Sequence, residues 1–345
     1  MPVGSNSEAL AMRGTARDDA RLSAAIGDLI VPDEHRLDDR LRLAVRTELA
    51  GLVASLEADL RREGAQLLAS RGEGAAAAAL LDGVEAMPSL VRAGVLRDPE
   101  LMDELVAEAR AALITERLPP GYDDEDGDRP GLLMRLEVDH DIAIASAARA
   151  LMASDSDGAA SARRLPEGLH RRLTWWVAAA IRGETPGTAT DRALAGAAER
   201  CLDDTDKGER TAALAARLAA ALEPVAADLP RLLIDALHDR QLALFTALLA
   251  RAVGVDGEVA RVVVLDPDGD RLWAMLRWLD LDRPTIARIG WALGEADPRR
   301  DLESFADRLD AIAATDRTAA QAVLAPLSLP RDYREAVRAI GAGVA

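Results

Sequence analysis

A chain of 345 residues with a net charge of −17, one cysteine, four histidines and a single lysine beside 41 arginines leaves little catalytic equipment. Lys207 lies outside any glycine-rich strand-to-helix turn, which works against Schiff-base and phosphate-loop chemistry, and Cys201 alone makes no internal disulfide. Spread acidity argues against nucleic-acid and anionic-membrane partners, and no run approaches the roughly 20 apolar residues of a membrane span, so a cytoplasmic protein is expected.

Nearly half the residues are apolar, most of them Ala and Leu, while residues that favour strands are sparse. The composition predicts an all-α protein. Residues 1–17 are expected to be disordered, and helices are predicted near 19–30, 36–62, 73–87 and 99–117. Asp98-Pro99 marks a helix start: the carboxylate caps free N–H groups and the proline presets φ. Leu118-Pro119-Pro120-Gly121, followed by the acidic run Asp123–Asp128, combines helix breakers with self-repelling charge. A linker is therefore placed at 119–130, between an N-terminal helical domain, 18–118, and a C-terminal one, 131–345.

Beyond it, helices are predicted near 130–153, 166–182, 190–202, 207–222, 225–237 and 239–253, then 256–265, 270–280, 284–294, 298–314, 316–325 and 330–341. Asp297-Pro298 reads as a second start of the Asp98-Pro99 kind. Val262-Val263-Val264-Leu265 is strand-like but fits a short helix equally well. Leu272, Met275, Leu276 and Leu279 follow the i, i+3, i+4, i+7 rule and form one apolar stripe.

The run Asp139–Leu151, an early Asp followed by aliphatic and Ala positions, resembles the second helix of a HEAT repeat. Leu232–Leu237, Leu244–Ala250 and Asp268–Leu272, with Tyr333–Val337 near the end, extend the likeness from about Ala20 onward. Together they resemble a bacterial, mostly alphaproteobacterial, domain-of-unknown-function family of HEAT-like helical repeats. The resemblance implies an irregular α-α superhelix in two helical subdomains. It implies no reaction and no catalytic residues. No strict period of about 40 residues runs through the chain, so the array is expected to be irregular.

Two Glu-x-x-His pairs, Glu137/His140 and Glu167/His170, have the spacing that puts a carboxylate and an imidazole on one helical face in di-iron bundles. Solvated helix-start residues are the plainer account of both. His140-Asp141 also resembles the opening of a histidine-kinase phosphoacceptor, although Ile144 and Ala145 replace its usual polar residue and proline. Asp266-Pro267-Asp268-Gly269-Asp270 alternates carboxylates like a calcium loop, but Arg271 and Arg277 stand where that loop needs Gly and Glu, so a turn with an N-cap is expected.

Trp273, Trp278 and Trp291 are candidate partner contacts, burial being favoured for the pair that flanks the Leu272 stripe. The resulting expectation is a non-catalytic helical scaffold or adaptor for a protein partner, without cofactor or metal. The alternative is a metal- or phosphoryl-handling helical enzyme built on Glu137, His140, Glu167 and His170.

Overall fold

The computed structural model describes residues 37–119, 130–156, 165–183, 187–205, 210–223 and 227–330, with positions 333, 334, 336, 337 and 340. The described residues form sixteen α-helices and no strand, so the protein is an all-α helical array. The chain divides into two units, residues 1–44 and 45–345. Within the first, Asp38 Oδ1 accepts a hydrogen bond from the Leu41 amide at 2.7 Å and caps the start of α1 (Asp39–Ser70).

In the second unit, α1 is followed by α2 (Gly74–Leu81) and α3 (Met87–Ala93). A single helix was expected over 73–87, and the structure breaks it at Asp82-Gly83. Arg61 stabilises the break from α1, donating to the carbonyls of Leu80 and Val84, the latter at 2.6 Å. Glu57 holds the other side, accepting from Arg61 and, at 2.9 Å, from the Ala86 amide. Helix α4 (Pro99–Arg117) has the predicted bounds, and Asp98 accepts from the Leu101 amide at 2.9 Å.

The continuous helix expected over 130–153 is two helices, α5 (Leu132–Glu137) and α6 (Ile142–Ser156). The corner is made by side chains that compete with the helix: Asp139 accepts from the Asp141 amide, and Asp141 accepts from the Ala143 amide. Next come α7 (Glu167–Arg182) and α8 (Thr188–Thr205), which pack on each other. This pair folds back on the earlier helices. Helix α7 meets α3, Arg172 reaches Asp98 at 3.2 Å, Arg200 pairs with Glu63 at 3.4 Å, and a Cβ on Gly196 would stand 3.3 Å from Leu67.

The remaining helices are α9 (Thr211–Leu222), α10 (Leu229–His238), α11 (Leu242–Val253), α12 (Gly257–Val264), α13 (Asp270–Trp278), α14 (Arg283–Ala296), α15 (Leu302–Ala314) and α16 (Arg317–Leu324). Helix α9 packs against α6, passing over the α7–α8 pair, and against α11, while α4 meets both α11 and α14. One apolar core accordingly runs from Ile114 and Leu118 through Phe245 and Leu272 to Leu327.

Packing therefore crosses residues 119–130 in both directions. Of that stretch only Pro119 and Pro130 are described, and residues 1–17 lie outside the described residues altogether. Residues 262–264 are helical, which resolves the strand-like run. Asp297-Pro298 starts no helix: Asp297 is the C-cap of α14 and spends its carboxylate on Arg299, and α15 begins at Leu302 behind Asp301. Among the described residues, no helix is long and apolar enough to cross a membrane.

Candidate functional site

Among the described residues, a cleft of about 960 Å³ is floored by α11 and walled by α4, α9 and the start of α12. Its shape follows from side-chain size. Helix α11 turns Ala243, Thr246, Ala247 and Ala250 toward it, at i, i+3, i+4 and i+7. Helix α4 repeats that spacing with Glu108, Ala111, Ala112 and Thr115, and α9 contributes a further alanine surface. The opposite face of α11 carries Leu244, Phe245, Leu248 and Leu249, all fully buried. Bulk on one face anchors the helix in the core, and its lack on the other leaves a trough.

The trough has two unlike ends. At the α12 end, Arg261 donates to Glu108 at 2.9 Å and to Glu104, and lies 2.8 Å from Glu258. Burial lowers the guanidinium pKa, but the hydrogen bond and charge of Glu104, then the charges of Glu258 and Glu108, outweigh it and leave Arg261 above its ordinary value. One cation thus faces three carboxylates, and Glu104 Oε1 is buried without a hydrogen-bond partner. At the other end, Arg240 donates to the Leu118 carbonyl at 3.0 Å, which ties the C-cap of α4 to the turn before α11. Asp239 accepts from the Leu132 amide and so caps α5 from a distant part of the chain. Arg210, just before α9, completes that end.

The chain matches no family model, no curated protein and no solved structure. The site rests on its own geometry.

The residues singled out from sequence do not come together. Glu137 ends α5 and His140 is exposed in the corner before α6, so the intervening break removes the shared helical face. His170 is 3% exposed within α7, whereas Glu167 points to solvent and pairs with Arg171 at 3.4 Å. Among the described residues, no three His, Cys, Asp or Glu side chains gather to hold a metal ion. Residues 266–270 form a turn in which Asp266 accepts from Arg271 at 2.7 Å and Gly269 has φ 71° before α13.

The tryptophans separate. Trp273 is 7% exposed, with its ring centroid 4.8 Å from that of Phe305. It is a packing residue and is removed from the candidate contacts, because its face of α13 is covered by α15. Trp278 is half-buried under the Arg317 guanidinium, 4.3 Å from its ring. Trp291 is 57% exposed on the outer face of α14.

The cleft itself was missed from sequence. Its signal was present in the small-residue spacing of Glu108–Thr115 and Ala243–Ala250, but small residues equally favour close helix packing. Which outcome occurs depends on whether another helix covers them.

Proposed function

We propose that the protein is a non-catalytic helical scaffold or adaptor of the cytoplasm that holds a protein partner in the cleft over α11. The cleft carries the reading: it is lined by apolar small side chains along a helix-spaced stripe, with charged groups at its ends, as a groove that receives a partner segment is. The resemblance of Asp139–Leu151 and Leu244–Ala250 to HEAT-like helices supports the same reading, since stacked helices of that kind work through extended grooves. Membership of that repeat family is part of the proposal.

Site-specific photo-crosslinking inside the host cell tests it. A crosslinking residue at Ala112 or Ala213, on opposite walls, is expected to capture the same protein, and Ala216→Trp is expected to abolish both adducts. Val91, exposed on α3, serves as the control position. Adducts no stronger at the cleft than at Val91, or unchanged by Ala216→Trp, would refute the reading.

A further inference from the structure

We infer that the occupant of the cleft is an amphipathic α-helix lying antiparallel to α11, with a cationic N-terminal turn seated over α12. This rests on the partner-binding reading above and adds the shape, charge and direction of what binds.

Shape comes first. A helix is roughly 10 Å across with its side chains, so about two turns fill a recess of 960 Å³. Helices approach one another within about 8–10 Å when the residues between them are small. The stripes at Ala243–Ala250 and Glu108–Thr115 supply small residues on the floor and on one wall. The inserted face is then apolar and medium-sized, at the i, i+3, i+4, i+7 spacing of a helix held in a groove.

Charge sets direction. At the α12 end Arg251 and Arg261 stand against Glu108, Asp256 and Glu258 in the lining and Glu104 behind them, which leaves two net negative charges. Arg210 and Arg240 against Asp239 leave one net positive charge at the other. A helix carries positive potential at its N-terminus and negative at its C-terminus. Dipole and cationic side chains therefore agree when the N-terminal turn lies over α12. Since α11 runs from the Arg240 end to the α12 end, the occupant runs against it.

A displayed library of 16-residue helical peptides, selected on the full chain and depleted on the Ala216→Trp variant, tests the inference. Enriched peptides are expected to share helical apolar spacing with Arg or Lys in the first turn. Moving those basic residues to the last turn is expected to weaken binding at least tenfold by fluorescence anisotropy, and Glu258→Arg to weaken the original peptide about tenfold. No enrichment, enriched peptides without helical spacing, or equal binding of the two charge arrangements would each overturn it. So would displacement of the chosen peptide by oleate at equal affinity for both arrangements, which would assign the cleft to a small apolar ligand. If selection fails while Ala112 and Ala213 still capture a cellular protein, the helix is wrong and the partner reading stands; if both fail, the partner reading falls as well.

Discussion

The ring of Phe305 on α15 lies directly over Gly290 on α14, so closely that a Cβ built on that glycine would overlap the aromatic carbons. The same ring packs on Trp273 at 4.8 Å between centroids, so it is held from two sides. Gly290 is in effect the socket that lets α15 close over α13 and α14.

Gly290→Ala is accordingly expected to destabilise the fold by about 1–3 kcal/mol, the usual result of overpacking a close contact. Gly51, in α1, is the counterpart: a Cβ there meets nothing within 4 Å. Gly51→Ala is expected to stabilise by about 0.5–1 kcal/mol through reduced freedom of the unfolded chain. Urea denaturation midpoints of the two variants check both signs, and equal shifts in one direction would contradict the packing argument.

Arg261 is the second point of sensitivity. Its side chain is 17% exposed and that of Glu104 is 9%, so removing the cation strands carboxylates away from water. Arg261→Met is expected to cost about 3–5 kcal/mol. Adding Glu104→Met to it is expected to recover part of that loss, because the stranded charge is removed along with its partner. Chemical denaturation of the two singles and the double forms the cycle, and additive losses would show that the pair is uncoupled.

Asp282 supplies a pH dependence. Its carboxylate accepts from the Thr285 amide at 3.0 Å at the start of α14, and hydrogen bonding with Thr285, from side chain and backbone, holds its pKa below the ordinary value. A group whose pKa is lowered by folding stabilises above its unfolded pKa and loses that contribution as pH falls through the folded one. Asp282→Ala is therefore expected to cost about 1 kcal/mol at neutral pH, with the difference from the natural chain shrinking below about pH 4. Thermal melts at pH 7 and pH 3 measure it; a difference that grows toward acid would contradict the sign.

Helix content and many helix starts were legible from residues alone because their causes are local. Asp98, Asp256 and Asp316 each cap within three residues of themselves, so the chain announces those starts wherever it folds. Local signals misled where a side chain found a different use. Asp297 next to proline looks like a cap, yet its carboxylate is taken by Arg299. Glu137 and His140 keep their spacing in sequence but lose it in space once Asp139 and Asp141 turn the chain.

The division of labour is physical. Composition, periodicity and capping are properties of a few neighbouring residues, and they determined an all-α chain with helices near 99–117 and 239–253. Burial and convergence depend on contacts between residues far apart in sequence, and these only the tertiary structure decided. It buried Trp273 and left Trp291 in solvent. It returned α7 and α8 to the helices before residue 119. It also joined Glu104 and Glu108 to Arg261 across more than 150 residues, at one end of the cleft lined by the small residues of α4, α9 and α11.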